Sequence, residues 1–278
     1  MPELPEVETV RRGLLKIATD RKITGIDVLY GKTITNDVEF FRQSLIGQTI
    51  KTVDRRGKYL LFRFSNHLTM ISHLRMEGKY FNLPEGEEPR KHTHVVFHFD
   101  DQTKLCYNDT RKFGRMTLVK TGEEMQVAGL KTIGPEPTTD SLTIEYLTEI
   151  MSKSRREIKP FLLDQSKVAG LGNIYVDEVL WMSQINPLEP VNHLTSEKIS
   201  QLRDNIIEEL AVATKHHGTT VHSYTTAFGE AGEFQSHLHA YGNAGKPCER
   251  CGTTLVKTKV AQRGTTYCPH CQILGVVV

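Results

Sequence analysis

Hydrophobic positions along this chain change their period twice. Residues 5–18 place Pro5, Val7, Val10, Leu14, Leu15 and Ile17 at helical spacing, with acids early and Arg11, Arg12 and Lys16 late. That charge order complements a helix dipole, so the segment is predicted to be a helix. From Ile23 to about Val119 the period shortens. Short β-rich runs follow one another at Ile23–Tyr30, Ile50–Arg56, Tyr59–Phe64, Leu68–His73, Val95–Phe99, Lys104–Asn108 and Arg115–Lys120, most of them separated by turns with Gly, Asn or Asp. This pattern predicts an all-β sandwich or barrel. Gly134-Pro135-Glu136-Pro137-Thr138-Thr139-Asp140 reads as a linker. Beyond it the period becomes helical again, over 143–152, 155–164, 174–181 and the long amphipathic run 195–215, where Ser196 and Glu197 favour a helix start. Residues 216–242 are rich in Gly, Ser, Thr and His and read as a loop.

Length and charge refine this picture. A chain of 278 residues can hold two domains with real cores. No apolar run approaches the roughly 20 residues that span a membrane. The first residues lack a cationic segment followed by an apolar one, so a cytoplasmic protein is expected. Net charge is only +2, but the basic residues are clustered. Lys51, Arg55, Arg56, Lys58 and Arg63 stand against Asp54 alone, and Lys246, Arg250, Lys257, Lys259 and Arg263 against Glu249 alone. Two local basic patches in a near-neutral chain fit either a surface that grips phosphates or a pair of solvated strands.

The cysteines carry the sharpest chemical signal. Four of the five form Cys248-x2-Cys251 and Cys268-x2-Cys271, while Cys106 lies alone in an apolar run. Each Cys-x-x-Cys turn aims two sulfurs at one point, and the residues between the pairs suffice for a β-hairpin. Four thiolates close a tetrahedral Zn2+ shell and leave no position for a substrate, so one structural zinc is expected. The hairpin carries Lys257, Lys259, Gln262 and Arg263, with Gly264 expected at its tip and Arg263 projecting towards a phosphate.

Three further segments are candidates. Val168-Ala169-Gly170-Leu171-Gly172-Asn173-Ile174-Tyr175 places two glycines before Asn173, a good helix N-cap. Such a corner suits a phosphate and equally suits a tight structural turn. Asn108-Asp109-Thr110-Arg111-Lys112-Phe113-Gly114-Arg115 sets basic residues around an aromatic. An aromatic wedge and an arginine that bonds an orphaned base are what base extrusion requires, and Met76 offers a second apolar wedge. A basic β-turn and a core methionine explain the same residues structurally. Finally, removal of Met1 would leave Pro2 as a free secondary amine, and an α-amino group has a pKa of about 8. Such an amine can add to a sugar aldehyde carbon to give an iminium, with Glu3 beside it as general acid and base.

Taken together these motifs resemble the formamidopyrimidine-DNA glycosylases, bacterial enzymes that remove oxidised purines from DNA. The resemblance spans the PELPEVET start, RRGKYLLF, SHLRMEGKY, DTRKFGR, IKPFLLDQ, VAGLGNIYVDE and the terminal cysteine module. It implies an α+β protein: an N-terminal β-sandwich flanked by helices, then a helical domain with a helix–two-turn–helix and a β-hairpin zinc finger. The implied boundaries are 1–133 for the catalytic domain, 134–142 for the linker, 143–243 for the helical domain with a lesion-capping loop, and 244–272 for the finger. Pro2, Glu3, Lys58 and Arg263 are implied as catalytic. Glu6, His73, Met76, His92, Arg111, Lys112, Phe113, Arg155, Lys159, Asn173 and Tyr241 are implied as DNA contacts, and Glu77, Ser223 and Tyr224 as lesion contacts. Cys248, Cys251, Cys268 and Cys271 would hold the zinc. The partner implied is double-stranded DNA carrying oxidised purines, met by a monomer away from any membrane. The nearest alternatives are an endonuclease VIII-like enzyme for oxidised pyrimidines and a zinc-finger DNA-binding protein without catalysis.

Overall fold

The structure is a computed structural model, and it describes residues 1–219 and 232–275. The chain divides into two compact units. The first comprises Met1–Thr132 with the described residues of His217–Glu233. The second comprises Ile133–His216 with the described residues of Phe234–Val278.

The first unit is a β-sandwich. Helix α1 (Leu4–Ala18) precedes β1 (Ile23–Val28), and α2 (Val38–Leu45) precedes β2 (Ile50–Arg56), β3 (Tyr59–Phe64) and β4 (Leu68–His73). Strands β5 (Lys79–Pro84), β6 (Thr93–Phe99), β7 (Thr103–Asn108) and β8 (Arg115–Lys120) complete it. Two four-stranded antiparallel sheets result, in the orders β1-β6-β7-β5 and β2-β3-β4-β8. Val10 and Leu14 of α1, Phe41 of α2, Leu60 and Phe62 of β3, and Phe97 and Tyr107 of the other sheet share one core. The helices thus bury their apolar stripes on the sandwich, as the sequence pattern requires.

Two elements of this unit differ from the expectation. Strand β5 is absent from the predicted runs, since it holds Asn82 and ends in Pro84; it pairs with β7 at a sheet edge, where a proline costs no ladder bond. Helix α2 is short and buries only Phe41 and Leu45, with Asp37 accepting from Phe40 N at 2.8 Å as its cap.

The second unit is helical, with α3 (Ile144–Ser152), α4 (Ile158–Leu163), α5 (Asn173–Met182) and α6 (Ser196–Lys215). α5 packs against both α4 and α6 and is buried on nearly every side, so its sequence shows little amphipathic signal. The hairpin of β9 (Val256–Val260) and β10 (Arg263–Tyr267) packs on α5. The segment expected as a linker is held on this unit: Gly134 N donates to Gln165 O at 2.8 Å and Ala169 N to Pro135 O at 2.9 Å. Among the described residues no helix is long and apolar enough to cross a membrane.

Candidate active site and nucleic-acid interface

Pro2 and Glu3 are buried at the start of α1, and Met1, 51% exposed, precedes them. Pro5 lies in the first turn, where its missing N–H costs nothing. Glu3 and Glu6 form a reciprocal capping box: Glu3 accepts from the Glu6 N–H, and Glu6 Oε2 accepts from Glu3 N at 2.8 Å. Glu6 Oε1 also accepts from Thr219 N at 2.8 Å and from Thr219 Oγ1 at 3.2 Å. Glu6 was expected to contact DNA. It is 4% exposed, and its oxygens accept from the chain itself. It therefore positions the N-terminus and Thr219.

Lys58 is buried at the β2–β3 turn, beside Gly57 with φ of +53°. Glu8 ties this turn to α1, accepting from Arg11 at 2.8 Å and from Arg55 Nε at 3.3 Å, while Arg55 Nη1 donates to Gly57 O at 2.9 Å. Burial works to raise the Glu8 carboxyl, but the bonds and charges of Arg11, Arg12 and Arg55 outweigh it and hold the pKa below its usual range. Glu8 has no signal in the sequence beyond its helical spacing from Arg11 and Arg12. His73 ends β4, where its Nδ1 accepts from Arg75 N at 3.0 Å. Burial first, then the Arg75 and Lys58 cations, push its pKa down to about 3. A neutral ring accepting at Nδ1 carries its proton on Nε2.

Met76, Arg111 and Phe113 come together. Arg111 Nη1 donates to Met76 Sδ at 3.0 Å, and the guanidinium lies 4.9 Å from the Phe113 ring centre. Met76 and Phe113 are 38% and 48% exposed, unlike core residues of their type. Glu77 is half-buried on the same turn as Met76. His92 and Lys112 are exposed and both take left-handed backbone, with φ of +69° and +61°. Lys112 Nζ rests 5.0 Å over the Tyr30 ring. Asp109, unremarked in the sequence, organises this turn; its oxygens accept from the N–H groups of Arg111, Phe113 and Gly114 at 2.8–2.9 Å.

In the second unit the expected phosphate corner differs in detail. Gly172, not Asn173, is the N-cap of α5. Asn173 is the first helical residue, and its Nδ2 donates to Gly264 O at 2.9 Å. The hairpin turn is Ala261-Gln262, with φ of +46° and +63°, so Gly264 lies inside β10 and not at the tip. Arg263 is exposed as the first residue of β10. Lys159, expected on the DNA backbone, has no exposed surface. Its Nζ lies 2.5 Å from Asp177 Oδ1 and 2.9 Å from Gly264 O, and Asp177 Oδ2 accepts from Thr266 N at 3.0 Å. Lys159 thus supports β10 from behind. Arg155 is exposed just before α4. Tyr241 N donates to Glu178 at 2.6 Å, and the N–H groups of His239 and Ala240 join it on the same carboxyl. Burial pushes Glu178 up to about 7 and Asp177 up to about 6.

The four cysteine sulfurs lie within 4.8 Å of one another. Thiolates about 2.3 Å from a tetrahedral Zn2+ require a comparable spacing, so the cluster fits one structural zinc. Bonds from the Thr253 hydroxyl and backbone N–H pull the Cys251 thiol down to about 6, while burial pushes the Cys271 thiol up to about 12. Trp181, near the end of α5, donates from Nε1 to Cys248 Sγ at 3.3 Å and joins α5 to the metal site. Ser223 and Tyr224 lie outside the described residues.

Comparison with known proteins places these features in context. Residues 1–116 match the formamidopyrimidine-DNA glycosylase N-terminal domain, residues 133–225 the H2TH domain of the same enzymes, and residues 245–273 a zinc finger found in FPG and IleRS. The formamidopyrimidine-DNA glycosylase of Lactiplantibacillus plantarum is 65% identical over 269 residues, covering 97% of this chain and 98% of its own. Wild-type Lactococcus lactis Fpg (MutM), in complex with DNA containing N7-benzyl-Fapy-dG, superposes with a TM-score of 0.93 at 44% identity, covering 98% of this chain and all of its own. MutM in complex with DNA containing carbocyclic 8-oxo-G superposes with a TM-score of 0.92 at 43% identity, with the same coverage.

Proposed function

The chain belongs to the formamidopyrimidine-DNA glycosylase family, and from that premise we propose how its own residues carry the reaction. It is a bacterial DNA-repair enzyme, a bifunctional glycosylase/AP lyase acting on 8-oxoguanine and formamidopyrimidine lesions in DNA, and it carries one structural zinc. The observation that supports the assignment of residues is the N-terminal capping box, which holds Glu3 beside Pro2 in a buried, pre-set position.

With Met1 removed, the Pro2 nitrogen attacks C1′ of the lesion nucleotide. The N-glycosidic bond breaks, and the base leaves with its bonding electron pair and takes up a proton. Glu3 delivers a proton to the sugar ring oxygen as the ring opens, leaving an iminium between Pro2 and C1′. That cation acidifies C2′. Loss of a C2′ proton expels the 3′ phosphate, and a second elimination expels the 5′ phosphate. Water then hydrolyses the remaining iminium and restores the amine. Lys58 supplies positive charge near the N-terminal apparatus. Asn173 and Arg263 hold phosphates around the extruded nucleotide from the second unit, with His73, His92, Lys112, Arg155 and Tyr241 as further backbone contacts. Met76, Arg111 and Phe113 fill the gap in the duplex and offset the unstacking cost of a few kcal/mol. Glu77, Ser223 and Tyr224 are assigned to the lesion base.

This reading places the catalytic domain at 1–133 and the zinc finger at 244–272, in a monomer working on chromosomal DNA in the cytoplasm. The test is parallel strand cleavage on duplexes carrying 8-oxoguanine opposite cytosine or thymine glycol opposite adenine. Preferred cleavage of the first supports the purine assignment. Preferred cleavage of the second overturns it, and binding without cleavage of either removes the catalytic reading.

A further inference from the structure

The wedge side chains sit on two separate turns. Met76 follows β4, while Arg111 and Phe113 lie between β7 and β8. For them to enter the duplex together, something beneath must fix both turns. Two buried residues at the end of β7 meet that need.

Tyr107 has no exposed surface, and its ring packs 5.2 Å from Tyr80. A Cβ on Gly114 would stand 1.6 Å from the Tyr107 hydroxyl oxygen, and a Cβ on Gly78 would stand 2.4 Å from the same atom. The two turns therefore close on one buried hydroxyl, and only glycine lets either backbone come so near. Asp109 is also fully buried. Its Oδ1 accepts from Arg111 N at 2.9 Å, and its Oδ2 accepts from Phe113 N at 2.9 Å and Gly114 N at 2.8 Å. Its carbonyl accepts from Lys112 N at 3.3 Å, where the chain turns through left-handed backbone. One side chain thus satisfies three N–H groups across the residues that carry the arginine and the phenylalanine.

We infer that Asp109 is the positioning residue of the wedge, holding Arg111 and Phe113 in their inserting arrangement before DNA is bound. A turn without these bonds has to be ordered during base extrusion, and that ordering opposes the same step the wedge exists to assist. Asp109 itself is fully buried, with its carboxyl oxygens turned to these N–H groups. The inference rests on the reading that Arg111 and Phe113 fill the gap.

The experiment uses the full-length enzyme with zinc bound and compares wild type, Arg111→Ala, Asp109→Asn and Asp109→Ser. Asparagine keeps the shape of the side chain but turns one acceptor into a donor that faces N–H groups; serine keeps a single acceptor. Each enzyme is assayed for excision of 8-oxoguanine opposite all four bases and for cleavage at a preformed abasic site, below its own melting midpoint. With Asp109→Asn, excision opposite cytosine should fall about 10- to 100-fold, as for a transition state losing one or two charge-assisted bonds. Opposite-base discrimination should flatten towards that of Arg111→Ala, while abasic-site cleavage stays close to wild type. Asp109→Ser should show the same split. Loss of abasic-site cleavage in parallel with excision would make Asp109 a purely structural residue and overturn the inference, as would wild-type excision with wild-type opposite-base order. If Arg111→Ala itself keeps the wild-type order, the wedge reading fails instead, whatever the Asp109 variants do.

Discussion

Lys159 gives the sharpest separation between a DNA contact and a structural support. Its ammonium and the Asp177 carboxyl lie 2.5 Å apart with no exposed surface on either side chain. Removing one partner of such a pair leaves an uncompensated buried charge, at a cost of about 3–5 kcal/mol. That is a large share of a domain stability of about 5–15 kcal/mol. Replacing both partners removes the stranded charge. What then remains is Thr266 N, which donates to Asp177 Oδ2 at 3.0 Å and would lose that acceptor. An unsatisfied buried N–H costs about 1–3 kcal/mol. Gly264 O would still be served by Asn173 Nδ2 at 2.9 Å. Lys159→Met and Asp177→Leu should therefore sum to about 6–10 kcal/mol if independent, whereas the double variant should lose only about 1–3 kcal/mol. Trp181 is the only tryptophan in the chain and lies in the cluster of Cys248, Leu255 and Cys268, so urea unfolding followed by its fluorescence reports on this unit. Additive losses would refute the reasoning. So would a Lys159→Met protein of unchanged stability whose DNA affinity falls with one phosphate contact fewer, since Lys159 would then be the backbone contact that the family resemblance implies.

Other consequences are accessible to standard assays. Arg263→Ala should keep zinc and melting behaviour but weaken binding to damaged duplex and flatten the logarithmic salt slope by about one phosphate contact, read by titration across salt concentrations. Burial pushes Glu178 to about 7 and Glu209 to about 8. These folded values lie above the unfolded ones, so the native second unit holds protons that the unfolded chain has released. Their contribution to the unit's stability is present in full below about pH 4 and is lost as pH rises towards these folded values, by at most about 1.4 kcal/mol per pH unit for each group still protonated, measurable by urea unfolding at several pH values. Stripping zinc with a chelator should shift Trp181 fluorescence, and rebinding of zinc should release protons, while near-neutral melting of the first unit stays unchanged.

Much of this architecture is legible in the sequence because its signals are local. The α1 spacing, all seven predicted strand runs and the cysteine pairs each declare themselves within a few residues. β5 and α2 do not, because an edge strand ending in Pro84 and a helix resting on Phe41 and Leu45 depend on what packs against them. The hairpin tip shows the limit of residue preference. Glycine is the default for left-handed backbone, so Gly264 attracts the assignment, yet Ala261 and Gln262 take it. The supporting residues are the least visible. Asp109, Glu8, Asp177 and the buried role of Lys159 arise from partners distant in sequence or from backbone N–H groups, neither of which a linear pattern reveals. The candidates Met76, Arg111, Phe113 and Arg263 are legible because an aromatic flanked by basic residues and an arginine at a hairpin turn are local motifs, and the family resemblance implies their roles.

The central claim is that chemistry begins at the Pro2 nitrogen. Borohydride reduction during reaction with an 8-oxoguanine:cytosine duplex converts the iminium to a stable amine, and peptide mapping by mass spectrometry then locates the sugar. The adduct should sit on Pro2 in a chain lacking Met1, and protein retaining Met1 or carrying an N-terminal extension should yield none. An adduct on Lys58, or trapping undiminished by the extension, would contradict the account.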